Sequence, residues 1–166
     1  MSVQDLNARF QYKSDSEHHD LKEKWTILRA PSGPLIGDCE DYALTALWLI
    51  NGKNDAQFHH SLKTNQARIW FCYTPQGEAH AALEYDNQFI DNIQQTFLPQ
   101  TDFFAKGYRF SHPMSYAEVN MRLDAGQKNK LPIAPGLATA IKSKFSPALF
   151  IGAAVAIGVI LWSITK

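Results

Sequence analysis

The chain has 166 residues, 45% of them hydrophobic, and balances 16 basic against 16 acidic side chains. That length fits one domain with an appendage, and the charge balance excludes the broad basic surface of a nucleic-acid binder. The two cysteines, Cys39 and Cys72, exclude a disulfide scaffold and form no closely spaced pair of zinc ligands.

Met1 to Phe10 is polar and lacks the apolar region of a signal peptide, so no route to export is expected. A short helix is predicted over Val3 to Phe10, followed by a polar patch, Lys13 to Asp20. The pairs His18-His19 and His59-His60 read as solvated surface, because adjacent side chains point in different directions on a helix or a strand. Pro31-Ser32-Gly33-Pro34 is a loop. It leads into Ile36-Gly37-Asp38-Cys39-Glu40-Asp41-Tyr42-Ala43-Leu44, a turn running straight into a helix. Gly37 permits the bend, Asp38 is a good N-cap, and the apolar run to Ile50 stops at Asn51-Gly52. A cysteine in an apolar helix is ordinarily a small buried hydrophobe. Cys39 instead takes the first helical position, flanked by three carboxylates, where the helix dipole favours a thiolate. It is therefore the candidate nucleophile.

Lys53 to Asn65 reads as a polar loop with a short helix. Arg68 to Tyr73 is predicted as an aromatic-rich strand, with Cys72 packed in the sheet and given no chemistry. Thr74-Pro75-Gln76-Gly77 is a turn, Glu78 to Tyr85 a second strand, and Gln88 to Ile93 a third. If Asp86-Asn87 is a two-residue loop, Tyr85 pairs with Gln88 and Glu84 faces Phe89. His80 and Asp91 then share a sheet face as diagonal neighbours, roughly 7–8 Å apart at the backbone. A loop one residue longer or shorter would put them on opposite faces. A histidine beside a carboxylate is the base and orienter that a cysteine nucleophile requires.

Downstream, Tyr108-Arg109-Phe110 reads as a strand, Tyr116 to Leu123 as a short helix, and Asp124 to Pro135 as a linker. Ala148 to Ile164 is about 17 residues without a charge, near the lower limit for a membrane span. Ser146 and Pro147 cap its start, and Trp162 suits the far interface. The expected organisation is an enzyme domain over 1–124, a linker over 125–145 and a transmembrane helix over 146–165. Lys142 and Lys144 precede the span and Lys166 follows it, which favours a cytoplasmic domain. Small residues four apart (Gly152 with Ala156, Ala154 with Gly158) suit self-association of that helix.

These motifs resemble those of the bacterial transglutaminase-like cysteine proteinases. Gly37-Asp38-Cys39-Glu40-Asp41-Tyr42-Ala43 resembles the family's nucleophile turn. Gly77-Glu78-Ala79-His80-Ala81 resembles its histidine strand, and Phe89-Ile90-Asp91-Asn92 its aspartate strand. Asn7, Phe10-Gln11-Tyr12, Asp15 and Trp25 fit its opening pattern, so the likeness spans Leu6 to Asn92. It implies a papain-like α+β fold, with the nucleophile at a helix N-terminus packed on an antiparallel sheet. It also implies a triad of Cys39, His80 and Asp91. One branch of the family comprises calcium-dependent periplasmic proteases that release surface adhesins. By that likeness Asp38 and Glu40 would bind calcium, with Asp41 a weaker candidate; alternatively Asp38 caps the helix while Glu40 and Asp41 favour its first turn. The sequence departs from the family in its short His80–Asp91 interval, its missing export signal and its C-terminal anchor, a combination that points to a phage or prophage origin.

The resulting expectation is a membrane-anchored cysteine hydrolase that cuts peptide or isopeptide bonds of a protein substrate through a thioester, with no cofactor required for the chemistry. The Cys39 backbone N–H and, from the papain-like pattern, Gln11 would stabilise the oxyanion. The alternatives are a non-catalytic interaction module and a virion or envelope component.

Overall fold

The computed structural model describes residues 1–19 and 23–128. The expected transmembrane segment, 146–165, lies outside the described residues, as does the linker beyond Lys128. Among the described residues no helix is long and apolar enough to cross a membrane.

Ser2 and Asp5 form a reciprocal capping box that starts α1 (Val3–Arg9). The chain continues into β1 (Phe10–Tyr12) and α2 (Asp15–His19), a short helix inside the polar patch. β2 (Leu35–Gly37) lies parallel to β1, with Tyr12 opposite Gly37. This short ladder places β1 beside the turn that launches α3 (Cys39–Ile50). The Asp38 side chain caps that helix by accepting from the Asp41 N–H. Between Tyr42 and Leu49 the only polar residue, Thr45, accepts from the Leu28 N–H at 2.8 Å. The rest of this run is apolar on every side, so α3 sits inside the core rather than along its edge.

After α4 (Asp55–Lys63) come β3 (Ala67–Tyr73), β4 (Ala79–Tyr85), β5 (Gln88–Ile90), β6 (Leu98–Pro99), α5 (Gln100–Ala105), β7 (Arg109–Pro113) and α6 (Tyr116–Lys128). The strands form one antiparallel sheet in the order β6-β5-β4-β3-β7. Alternation along β3 and β4 sends Ile69, Ala81 and Leu83 to the core shared with α3, and Cys72 and Ala82 to a second, aromatic cluster with Phe89, Phe103 and Tyr108. The architecture is α+β, as expected.

The β4–β5 hairpin has the expected register: Tyr85 pairs with Gln88, and Asp86 and Asn87 both take positive φ, 49° and 62°. Two boundaries need correction. The third strand of the sheet hairpins stops at Ile90 rather than Ile93, because the chain turns there: the Gln95 N–H bonds the Asp91 carbonyl at 2.9 Å, and Gln95 has φ 53°. The last helix among the described residues, α6, runs to Lys128, past the end expected at Leu123. Gly126 signalled a linker in the sequence, but it serves close packing, since a Cβ there would collide with the Trp25 backbone carbonyl.

Candidate active site

Asp91 follows β5 immediately and is fully buried. Its Oδ1 accepts from the Ile93 N–H at 3.1 Å and the Gln94 N–H at 2.6 Å, which fixes the carboxylate plane. Its Oδ2 lies 2.9 Å from His80 Nε2, on the neighbouring strand β4. The imidazole is thereby oriented with Nδ1 left for other work. Two features of the sequence meet here, the hairpin register and the turn that ends β5.

Cys39 opens α3 and lines a cleft of about 240 Å³ together with His80, Glu40, Glu23, Trp25 and Arg122. Ala79, His80 and Ala81 of β4 line the same cleft. No Cys39–His80 hydrogen bond occurs among the described residues; the Cys39 Sγ instead donates to Glu40 Oε2 at 3.0 Å. Burial first, then the Glu40 carboxylate and its hydrogen bond, push the thiol well above its usual value, and the Ala81 N–H offsets them in part. The expected dipole-stabilised thiolate is therefore corrected. A helix N-terminus is worth typically 0.3–1 kcal/mol at an exposed site, too little to outweigh burial beside a carboxylate. Cys39 therefore rests as a thiol.

Asp38 and Glu40 are buried, and Asp15 from α2 joins them: one carboxylate oxygen of each lies within 4.8 Å of the others. None of the three has an ion-pair partner among the described residues. Asp15 accepts the Lys24 backbone N–H, and Asp41 accepts the Thr26 N–H at 2.7 Å. Burial and mutual repulsion push Asp38 up to about 9 and Asp41 to about 8, and raise Asp15 and Glu40. Asp38 caps the helix and belongs to this group at once, so the two readings of its role are compatible.

Gln11 does not reach the cleft. It lies in a separate surface depression with Arg9, Phe10 and Pro34. Its neighbour Tyr12 borders a depression containing His80. Successive side chains of a strand face opposite ways, so β1 presents either Gln11 or Tyr12 to the site, and it presents Tyr12. Asp15 and Tyr12 are the residues that reasoning from sequence passed over. Both stood in the opening pattern, but only the parallel β1–β2 ladder brings them to the nucleophile. Cys72 is buried in the sheet opposite His80 in register, with its thiol pushed up to about 12 by burial, and has no chemistry. His18 and His19 stack on each other, with ring centroids 3.9 Å apart.

No protein-family model matches the sequence, and no curated protein matches it either. Among solved structures, Legionella pneumophila LapG is similar at 15% identity over 76% of this chain and 75% of that one, with a TM-score of 0.48. A calcium-bound structure of Legionella pneumophila LapG is similar at 15% identity over 68% of this chain and 63% of that one, with a TM-score of 0.44.

Proposed function

We propose that the chain is a transglutaminase-like cysteine hydrolase that cleaves peptide or isopeptide bonds. The observation that carries this reading is the buried His80–Asp91 pair at 2.9 Å, with His80 and its strand neighbour Ala81 lining the same cleft as Cys39. The thiol leaves Glu40 and passes its proton to His80 Nδ1 as sulfur attacks the substrate carbonyl. The backbone N–H of Cys39, which has no hydrogen-bond partner among the described residues at the start of α3, receives the developing oxyanion. His80 then returns the proton to the leaving amine, and water attacks the thioester with His80 again as base. Transfer to an amine in place of water would make the same site a transamidase.

Calcium fits the donor set of Asp15, Asp38 and Glu40: hard carboxylate oxygens, buried, close together and without a positive partner among the described residues. When bound, the cation would supply the positive charge that this group lacks and so lessen the negative field of Glu40 at the thiol. The uncharged stretch 148–164 would hold the domain at a membrane. Loss of membrane pelleting on deletion of 148–166 is the expected result, and retention would remove that part of the reading.

The competing reading, a binding module without chemistry, draws on the thiol being held protonated by Glu40. Labelling of the full chain with iodoacetamide separates the two, beside cleavage of a peptide library. Cleavage lost in Cys39→Ser and in His80→Ala, but kept in Cys72→Ser, supports the hydrolase. Labelling of Cys39 that is indifferent to His80→Ala, with no cleavage, supports the module.

A further inference from the structure

The cleft does not end at the triad. Beyond His80 it opens into a second depression of about 510 Å³, bordered by Tyr12, Thr74, Glu78, Asn92 and Ile93, with Ala79 and His80 common to both.

Its wall has a definite chemistry. Glu78 is exposed and forms no ion pair among the described residues; nearby Arg109 lies instead 5.6 Å over the Tyr73 ring. Tyr12 and Ile93 are 60% and 53% exposed, an aromatic ring and an aliphatic chain beside the Glu78 carboxylate. A carboxylate next to a ring and an aliphatic chain suits a side chain with a long apolar stem and a cationic head. An acidic occupant would face Glu78, and an aliphatic one would leave its carboxylate unpaired. The Tyr12 phenol is pushed up to about 12, by burial first and then by neighbouring acidic groups that include Glu78.

We propose that this depression is a specificity subsite for the lysine or arginine side chain of a peptide residue close to the scissile bond. The proposal rests on the hydrolase reading and names its substrate class. The head would pair with Glu78 while the stem lies along Tyr12 and Ile93.

Two measurements on the full chain test it. A proteome-derived peptide library is digested by wild type and by Glu78→Lys, and the new ends are read by mass spectrometry. Lys or Arg should be enriched at one fixed position near the cut bond by about fivefold in wild type, and not in Glu78→Lys, as reversal of one nearby charge requires. A profile indifferent to basic residues, or unaltered by Glu78→Lys, overturns the proposal. In a Cys72→Ser background, the rate of Cys39 modification by a cationic methanethiosulfonate relative to an anionic one should fall about fivefold in Glu78→Lys and partway in Glu78→Gln. An unchanged ratio overturns the proposal equally. This ratio reads the subsite even if no peptide is cut, so failure of hydrolysis and failure of the subsite are separate results.

Discussion

Asp91→Asn tests whether the carboxylate sets the histidine tautomer or merely fills space. In wild type Oδ1 is committed to two backbone donors, the Ile93 and Gln94 N–H groups, and Oδ2 to His80 Nε2. An asparagine is nearly isosteric, but its amide has one acceptor end. Turning the NH2 toward Ile93 and Gln94 would oppose donor to donors, so the oxygen must stay with the turn and the NH2 must face His80. Nε2 then has to accept, which moves the ring proton to Nδ1 and removes the base that receives the thiol proton. A wrong tautomer at unchanged geometry lowers turnover by about 10⁴ in a well-studied serine protease triad, equivalent to roughly 5 kcal/mol of barrier. Stability should fall by only about 1 kcal/mol, the net worth of a hydrogen bond, because every contact keeps a partner. Asp91→Ala instead strips two backbone N–H groups of their acceptor and should melt several degrees lower than Asp91→Asn. Peptide-cleavage kinetics and thermal melts of the three proteins check this. An Asp91→Asn variant with more than a tenth of wild-type turnover would show that the two N–H groups do not dictate the amide orientation and sink the tautomer reasoning.

Glu40→Gln removes the anion that holds the Cys39 thiol protonated, so iodoacetamide labelling should become faster near neutral pH and its midpoint should move down. Slower labelling would mean that Glu40 assists the thiol. Asp41 is held to about 8 in the fold against 3.8 without it. The native chain therefore keeps a proton that the unfolded chain has lost, and stability falls as pH rises between those values, by up to about 1.4 kcal/mol per pH unit per such carboxylate. The melting temperature should be lower at pH 8 than at pH 5, and a rise would reverse the sign assigned to the acidic group. Calcium should raise the melting temperature at pH 8 and much less at pH 5, where protons compete; equal shifts at both would place any binding elsewhere. Gly126→Ala drives a methyl into the Trp25 backbone and should cost about 1–3 kcal/mol in denaturant melts. A neutral result would mean that α6 sits further from Trp25.

Local rules carried the fold well where a single residue decides the geometry. Asp38 as cap, Asn51-Gly52 as stop and Asp86-Asn87 as a two-residue turn each act through their own backbone. From the last of these the β4–β5 register followed, and with it the shared face of His80 and Asp91. The rule weakened where tertiary contact decides. Gly126 looks the same to a sequence reader whether it loosens a linker or admits a neighbouring carbonyl, and only the approach of Trp25 distinguishes them. β5 ends at Ile90 because Asp91 spends one oxygen on the turn that follows, a use that strand periodicity does not encode.

At the site the same divide separates position from protonation. Cys39 at the head of α3 is a local fact, and the chain states it plainly. The charge on its sulfur is not local: it depends on Glu40 turning back toward the thiol, on Asp15 arriving from α2, and on how far burial removes water from all of them. The sequence shows the helix dipole and the adjacent carboxylates, but not the burial that is the largest cause of the shift. Parity on β1 follows the same logic, since Gln11 and Tyr12 are equally placed in the chain. The β1–β2 ladder, which sets Tyr12 opposite Gly37, decides that the tyrosine borders the histidine. On the proposed hydrolase reading, a Cys39 kept protonated by its neighbours needs His80 from the first step, and its reactivity is tied to whatever neutralises the carboxylates around it.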